Sequence, residues 1–307
     1  MNRQARTTYG IVVGYDGSPG SRLALTWAAE TARLQGKHLT IVHSVNVAAM
    51  PAYPAMDLSQ LEPTLAHAAK TLVDDGAVRA AETLDAAQVE TQYWLGSPSA
   101  QLVDASKEAD LVVVGSRGRG RVLAGLLGST SYAVAAHAKC PVVVVRGPVE
   151  QSPDEPPMPP RPGRDHDVVV GIDDSDSATR ALDAAAEVAE REGAGLHVVR
   201  VAHSASMEAW TYAEVAKGGT EETHAIRDHA EQSVTRAANR ARAKHPKILV
   251  TTEVLYGDPG QSLADLGSTA GLVVVGSRGH GGFAGMLLGS VSHRLIHDAT
   301  CPVMVVR

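Results

Sequence analysis

The chain has little cysteine. Cys140 and Cys301 are its only two in 307 residues. Two cysteines do not form the disulfide framework of a small secreted domain. Each one precedes a proline and an apolar run, so we interpret both as small buried side chains of the core.

Long apolar runs and an excess of positive charge are also missing. No apolar run in the sequence approaches the ~20 residues that a membrane-spanning helix requires. The N-terminal segment MNRQARTTYG has no apolar region typical of a signal peptide. The formal charge is -6 at pH 7, which gives no overall bias toward polyanions. We therefore expect a cytoplasmic protein with no nucleic-acid partner and no membrane insertion.

Three motifs that would indicate an enzyme are absent from the sequence. A P-loop carries a lysine and then a serine or threonine after its second glycine, whereas Gly120 is followed by Arg121 and Val122. There is no Gly-x-Ser-x-Gly nucleophile elbow. His293 and His297 are one helical turn apart but have no third metal ligand at a recognisable spacing. We therefore predict no catalytic residues and no directly bound metal.

The dominant feature that is present is an internal repeat. Residues 11–45 match 168–202 at an offset of 157, and residues 110–129 match 271–290 at an offset of 161. The second copy has thus gained four residues between its second strand and Gly257. A repeat of this length is a duplicated domain rather than a solenoid unit, and about 150 residues per copy suffice for a separate core.

A proline-rich segment separates the two copies. Residues 147–166 read GPVEQSPDEPPMPPRPGRDH, a composition that favours extended, semi-rigid chain. We therefore predict a first domain at 1–146, a linker at 147–166 and a second domain at 167–307. A polyproline ligand for a partner domain is the less favoured interpretation of the same segment.

Each copy alternates apolar β-branched runs with long helical patterns. The expected strands of the first copy lie near 10–14, 39–45, 89–94, 111–115 and 141–145, and its helices near 19–35, 57–86, 98–108 and 128–138. Strands in the second copy are expected near 167–171, 196–202, 249–255, 272–276 and 302–306. Almost continuously apolar strands that alternate with helices predict an α/β fold, with a doubly wound open parallel sheet in each copy. If the loops after strands 1 and 4 form one site, the strand order is 3-2-1-4-5, with the switch point between strands 1 and 4.

The most specific motif is a glycine pattern found in both copies. It reads Gly-x-x-Gly, nine further residues, then Gly-Ser, and begins at Gly115 and again at Gly276. Glycines between a strand and a helix start allow backbone N–H groups to approach a phosphate. Arg117, Arg119 and Arg121 add positive charge in the first copy, although any one of them could equally be a solvated surface charge.

An aspartate follows the first strand of each copy. Asp16 and Asp173 stand at the ends of buried strands, where an uncompensated carboxylate is costly. A ribose hydroxyl, a ligand-bound Mg²⁺ or backbone N–H groups could compensate it, and so could a role as helix N-cap. Ser18 and Ser175 could cap those helices instead, so we favour ligand contact for the two aspartates.

These motifs resemble those of the universal stress protein family in its tandem, ATP-binding form. The resemblance covers nearly the whole chain except the linker. It implies a Rossmann-like fold related to the adenine nucleotide alpha hydrolases, with one ATP site per domain and Mg²⁺ bound through the ATP phosphates. In the first copy, the implied nucleotide-binding residues are Gly14, Asp16, Ser44, Val45, Gly115, Ser116, Arg117, Gly118, Arg119, Gly120, Arg121, Gly128, Ser129 and Thr130. In the second copy they are Gly171, Asp173, Val201, Ala202, Gly276, Ser277, Arg278, Gly279, His280, Gly281, Gly282, Gly289, Ser290 and Val291.

The two predicted sites are not identical. Asp174 replaces Gly17 and adds negative charge near the expected phosphate position, and Gly282 replaces Arg121. Both differences predict tighter binding in the first copy.

The resemblance implies a regulator or sensor in stress or growth control that responds to bound ATP. Slow ATP hydrolysis or adenylyl transfer at the same site is the alternative. The resemblance also implies a homodimer through the last strands, whose apolar edges would favour pairing. A regulatory protein partner is expected, but the sequence does not identify it.

Overall fold

The computed structural model describes residues 9–46, 58–116, 128–146, 158–202, 221–279 and 287–307. The chain divides into two compact units, 1–159 and 160–307. The end of the expected linker belongs to the second unit, where Arg161 forms an ion pair with Glu192 at 2.9 Å. The structural division therefore falls before the domain start that the sequence predicts at 167.

The first unit contains five strands and four α-helices among its described residues. In chain order these are β1 (Gly10–Gly14), α1 (Pro19–Gln35), β2 (Leu39–Val45), α2 (Leu58–Ala80), β3 (Val89–Leu95), α3 (Pro98–Ala105), β4 (Ala109–Gly115), α4 (Ser129–His137) and β5 (Val142–Val145). All of the strand pairs are parallel, in the order β3-β2-β1-β4-β5. The predicted order 3-2-1-4-5 is thus confirmed for this unit.

The second unit repeats this plan. Its elements are β6 (Val168–Gly171), α5 (Asp176–Glu192), β7 (Leu196–Ala202), α6 (Glu221–Lys244), β8 (Val250–Tyr256), α7 (Pro259–Leu266), β9 (Leu272–Gly276), α8 (Ser290–Asp298) and β10 (Val303–Val306). The parallel order is β8-β7-β6-β9-β10. The doubly wound parallel fold is therefore confirmed in both copies.

Local sequence explains where α1 begins and ends. The Ser18 hydroxyl accepts the Ser21 N–H at 3.3 Å, and Pro19 occupies the first turn, where its missing N–H costs nothing. Gly36 ends the helix in the left-handed conformation at φ 60°, which glycine adopts without a Cβ penalty. The buried face of α1 includes Trp27, which is 1% exposed.

The expected helix at 57–86 is too long. It ends at Ala80, and Leu84 turns back so that its N–H donates to the Ala80 carbonyl at 2.9 Å. Asp85 then caps a short 3₁₀ turn by accepting the Ala87 N–H at 2.9 Å. The apolar spacing typical of a helix continues beyond Ala80, but the hydrogen bond between the Asp85 side chain and the backbone favours the 3₁₀ turn over further α-helix.

The four extra residues of the second copy lie before the buried part of α6. Buried positions of the two long helices correspond at the offset of 161, since Ala69, Val73 and Ala80 match Ala230, Val234 and Ala241. The strands β2 and β7 correspond at the offset of 157. The insertion thus falls between Ala202 and Ala230, outside the sheet.

Candidate functional site

The aspartates after β1 and β6 shape tight turns at the carboxyl edge of each sheet. Asp16 Oδ1 accepts the Ser18 N–H at 3.0 Å, and Asp173 Oδ1 accepts the Ser175 N–H at 3.1 Å. Ser18 and Ser175 are the N-caps of the following helices. The serines therefore perform the capping that was the alternative role for the aspartates, and each aspartate organises the turn that precedes its helix.

In the second unit, predicted nucleotide-binding residues from the loop after β9 lie close to Asp173. Gly279 packs so closely on the Asp173 carboxylate that a Cβ on this glycine would overlap Oδ2. The Ser177 hydroxyl donates to the Arg278 carbonyl. The turn after β6 and the loop after β9 are thus in direct contact, as expected for adjacent strands at a switch point.

The glycines that begin the two loops leave room for the first helix of each unit. A Cβ on Gly115 would lie 2.5 Å from the carbonyl carbon of Gly20 in α1. A Cβ on Gly276 would lie 2.8 Å from the backbone carbon of Ser177 in α5. Real Cβ atoms do not make such contacts, so these positions require glycine for close packing of the helix.

Glycine, not serine, caps the helix that follows each loop. Gly128 and Gly289 are the N-caps of α4 and α8, and neither cap makes a side-chain hydrogen bond. Serine is a good N-cap and the Gly-Ser pair predicts that Ser129 and Ser290 cap these helices, but both serines are the first helical residues, so this prediction is wrong. A glycine cap has no side chain to occupy the N–H groups of the first turn, which leaves these donors for an anion.

A cavity of about 1050 Å³ lies at the carboxyl edge of the second sheet. Ten of the residues predicted from the second copy line it: Gly171, Asp173, Val201, Ala202, Gly276, Arg278, Gly279, Gly289, Ser290 and Val291. Ser277 is 3% exposed and does not appear in the lining. Its backbone instead supports the loop, since its N–H donates to Val306 at 2.7 Å and its carbonyl accepts the Gly289 N–H at 2.8 Å.

The corresponding edge of the first unit is organised by a different set of side chains. Tyr15 is 2% exposed, and its hydroxyl donates to Asp75 at 2.7 Å. Burial raises the pKa of Tyr15, and the hydrogen bond to Asp75 raises it further. The hydroxyl of the predicted residue Ser44 donates to the Gly96 carbonyl at 2.9 Å, so this side chain fixes the neighbouring loop. Gly14 lies against Leu102, whose Cδ1 would be 3.1 Å from a Cβ on the glycine.

The remaining predicted residues of the two copies divide into those that the structure describes and those that it does not. Val45 ends β2, and Gly128 and Thr130 lie at the start of α4. Ser116 is buried, and its backbone carbonyl accepts the Gly128 N–H at 2.8 Å. Eight predicted residues lie outside the described part of the chain: Arg117, Gly118, Arg119, Gly120, Arg121, His280, Gly281 and Gly282.

Asp174 belongs to a charge network that the sequence patterns did not reveal. Its carboxylate pairs with Arg200 and accepts the Ser233 hydroxyl at 2.6 Å, and Arg236 lies 3.5 Å away. Burial raises the pKa of Asp174, but the hydrogen bonds from Ser233 and Arg200 and the nearby positive charges outweigh burial and hold the pKa below its usual value. The charge of Asp174 is thus compensated within the chain.

This network bears on the expectation that Asp174 weakens the second site by repelling phosphate, because the carboxylate has positively charged partners within the chain. Arg200 replaces His43 of the first copy, whose Nδ1 is bound instead to the Tyr15 carbonyl at 2.8 Å. Asp174 also adopts φ 65°, a left-handed conformation that aspartate tolerates better than most residues. Two differences between the copies occur together, Gly17 to Asp174 and His43 to Arg200. They were the sequence signal from which the ion pair between Asp174 and Arg200 could have been predicted.

The two cysteines lie in the cores. Cys140 is 8% exposed and Cys301 is fully buried, and burial raises the pKa of both thiols to about 12. Among the described residues, no three His, Cys, Asp or Glu side chains are grouped to hold a metal ion. In the same part of the chain, no helix has the length and apolar character needed to cross a membrane.

Two doubly wound α/β units, each with a glycine-rich segment at its switch point, define a tandem α/β protein with a cavity at a sheet edge. A model of the universal stress protein family matches residues 10–146 and 166–307. The chain belongs to the universal stress protein family and contains two copies of its domain.

Similar proteins have the same tandem length. The chain is 34% identical over 310 residues to Universal stress protein Rv2005c of Mycobacterium tuberculosis, covering 98% of both chains. It is 34% identical over 314 residues to Universal stress protein Rv2623 of the same organism, covering 98% of this chain and 97% of the other. A crystal structure of a universal stress protein from Archaeoglobus fulgidus has a TM-score of 0.68 at 22% identity, with coverage of 97% and 98%. This last comparison supports the fold.

Proposed function

We propose that this protein binds ATP, with one site per domain, and acts as a nucleotide-dependent regulator in stress or growth control. The observation that carries the proposal is the cavity of the second unit. It brings the turn at Asp173, the loop at Arg278 and the glycine-capped start of α8 to one place. These three parts come from distant positions in the sequence and meet where open α/β sheets bind ligands.

The size and chemistry of the cavity fit an adenine nucleotide. Its volume of about 1050 Å³ is slightly above the roughly 300–1,000 Å³ typical of small-molecule sites. Val199, Val201 and Ala202 from β7 form an apolar wall with Ile226 and Ala230 from α6. Such a wall suits the faces of a nucleobase.

Other lining residues suit a phosphate chain. Gly289 and Ser290 place the N-terminus of α8 in the lining, and Arg278 adds a guanidinium group. Backbone donors, a helix dipole and an arginine together favour an anion. Asp173 also lines the cavity, and its carboxylate can accept a hydrogen bond from a ribose hydroxyl or face a phosphate-bound Mg²⁺. In this proposal Mg²⁺ is held through the phosphates and compensates their charge.

Regulation is proposed rather than turnover because the sequence carries no P-loop lysine and no nucleophile elbow. ATP binding would stabilise one conformation of the loop between Gly276 and Ser290, and of its counterpart between Gly115 and Ser129. A protein partner would recognise that state. The homodimer through the last strands stays part of the proposal, and sedimentation of the full chain with and without ATP tests it.

The experiment is to denature the purified chain gently and identify any released nucleotide by mass spectrometry. ATP at up to two per chain supports the proposal. ADP or an adenylylated product would favour the alternative of slow hydrolysis or adenylyl transfer. No released nucleotide, together with no thermal shift in millimolar Mg-ATP, would contradict nucleotide binding. A ligand at about 100 times its Kd stabilises by ~2.7 kcal/mol, which is readily measured.

A further inference from the structure

The N-terminal turns of α6 form one wall of the cavity in the second unit. Four residues of this helix line the cavity: Ala225, Ile226, His229 and Ala230. Residues 224–229 are all exposed, whereas Ala230 is 1% exposed. Few apolar contacts therefore hold the turns that cover the cavity, which is typical of a segment that opens locally.

Polar contacts fasten α6 to the turn after β6. The Asp174 carboxylate accepts the Ser233 hydroxyl at 2.6 Å, and Ser233 is 1% exposed. Arg200 from β7 donates to the Ser233 hydroxyl at 2.7 Å and pairs with Asp174. Arg236, which is three residues further along α6, lies 3.5 Å from Asp174. These four residues form the Asp174 network.

The Asp174 network and a ligand in the cavity act on the same parts of the chain. Asp174 and Arg200 line the cavity themselves, and Asp174 follows Asp173 directly in the turn. Ser233 lies about one helical turn beyond Ala230, the last lining residue of α6. Linked hydrogen bonds among charged groups reinforce one another and fix the elements that carry them. The network therefore determines how closely α6 approaches the turn that bears Asp173.

The first unit makes the same connection with different residues. Tyr15 precedes Asp16, and its hydroxyl donates to Asp75 of α2 at 2.7 Å. The second copy has Ile172 in place of Tyr15 and uses Asp174, on the other side of the aspartate. A side chain next to the site aspartate thus reaches the long helix in both units, although neither bond could form at the equivalent positions of the other copy. This recurrence favours a role for the connection beyond packing.

We infer that α6 is a movable wall of the second cavity, that the Asp174 network holds it docked, and that a ligand in the cavity stabilises the same docked position. Ligand contacts with α6 exist only when the helix is docked, so occupancy determines how often it opens. Ser233 is then a positioning residue, and α6 is the element whose state a partner recognises. The ligand-dependent part of this inference rests on the proposed nucleotide function, whereas the opening of α6 in the ligand-free chain does not.

Hydrogen exchange of the ligand-free full chain, followed by mass spectrometry, tests the network. In the parent protein, α6 should exchange faster than β6 and β9. Ser233→Ala and Asp174→Asn should each speed exchange in α6 about tenfold, as for loss of one charge-assisted hydrogen bond, at times when β6 and β9 are still protected. The double variant should show little further increase, because either substitution already breaks the network. Unchanged exchange in both single variants, or an α6 as protected as the two strands, would overturn the inference.

Two control variants separate the network from general effects on the helices. Arg227→Gln removes an ion pair with Glu231 within α6, whose side chains are 61% and 54% exposed, so exchange should stay within about twofold of the parent. Acceleration as large as in Ser233→Ala would show that any weakening of α6 opens it, which contradicts a specific role for the network. Tyr15→Phe keeps the ring and removes the bond to Asp75, so it should speed exchange in α2 and leave α6 unaffected.

The same measurement with Mg-ATP tests the coupling to a ligand. At about ten times its Kd, a ligand that requires the docked helix should slow exchange in α6 about tenfold, both in the parent and in Ser233→Ala. If calorimetry detects binding to the second unit but exchange in α6 does not change, the coupling is wrong and the proposed function stands. If calorimetry detects no binding, the proposed function fails and the coupling to nucleotide fails with it. The ligand-free comparison still decides whether the Asp174 network holds α6.

Discussion

Replacing Asp174 by asparagine tests whether its carboxylate stabilises the second unit or repels a phosphate. Asparagine keeps the shape of the side chain and tolerates the observed φ of 65°. The substitution therefore removes the charge with little change in backbone strain. In the structure, that charge faces Arg200, Ser233 and Arg236.

The expected loss of stability follows from these contacts. A hydrogen bond to a charged group contributes about 1.5–3 kcal/mol when well shielded. The Asp174 side chain is 33% exposed and that of Arg200 is 17% exposed, so solvent screening reduces this value. We expect Asp174→Asn to lower the free energy of unfolding by about 1–2 kcal/mol, or Tm by roughly 2–8 °C.

The loss should depend on pH in a defined direction. The pKa of Asp174 is below its usual value in the folded chain. Its contribution is therefore complete above the pKa of the unfolded state and disappears as the pH falls through the folded pKa. Denaturant unfolding of both proteins at pH 7 and near pH 3 should show a difference that shrinks in acid. Gly17→Asp is the matched control, since the first copy has His43 in place of Arg200.

We expect Gly17→Asp to destabilise the first unit because it adds left-handed strain without that arginine. ATP titration completes the test. If Asp174→Asn binds ATP more tightly at the second site and unfolds like the parent protein, the charge acts by repulsion and our account of the network is wrong.

Three further predictions concern packing and burial. Gly115→Ala should lower the free energy of unfolding by about 1–3 kcal/mol, because its Cβ would overlap α1. Gly163→Ala should be neutral, since nothing lies within 4 Å of a Cβ there. Equal Tm values for the two variants would contradict the packing argument. Ser18→Ala should lower the free energy of unfolding by about 0.5–2 kcal/mol, because α1 loses its N-cap. If chemical denaturation detects no such decrease, the cap does not stabilise the helix. Cys140 and Cys301 should resist alkylation in the folded protein at pH 8 and react only after unfolding, because burial raises both thiol pKa values to about 12; rapid modification of the folded chain would refute their burial.

Repetition made the fold predictable from the sequence. Apolar strands such as 111–115 and 272–276 occur twice in the same context. The assumption that the loops after strands 1 and 4 form one site then made these two strands neighbours. Both units have this order. Helix ends were less predictable, since the turn after Ala80 depends on the single cap at Asp85.

Within the candidate site, only the residues that belong to a recognisable sequence motif could be predicted. Glycines and the aspartates after β1 and β6 stand at fixed spacings, so they could be identified in advance. Side-chain partners from other elements could not, because Ser233 reaches Asp174 across 59 residues of sequence. Charge at Asp174 was therefore interpreted in isolation, and its neutralisation by Arg200 became evident only in the structure.

Calorimetric titration of the full chain with Mg-ATP tests the central claim most directly. We predict two ATP bound per chain, with one lost in Asp16→Ala and the other in Asp173→Ala. Each variant should keep a cooperative unfolding transition, which shows that the loss is one of binding. No binding to the parent protein, or unchanged stoichiometry in both variants, would contradict the proposed pair of nucleotide sites.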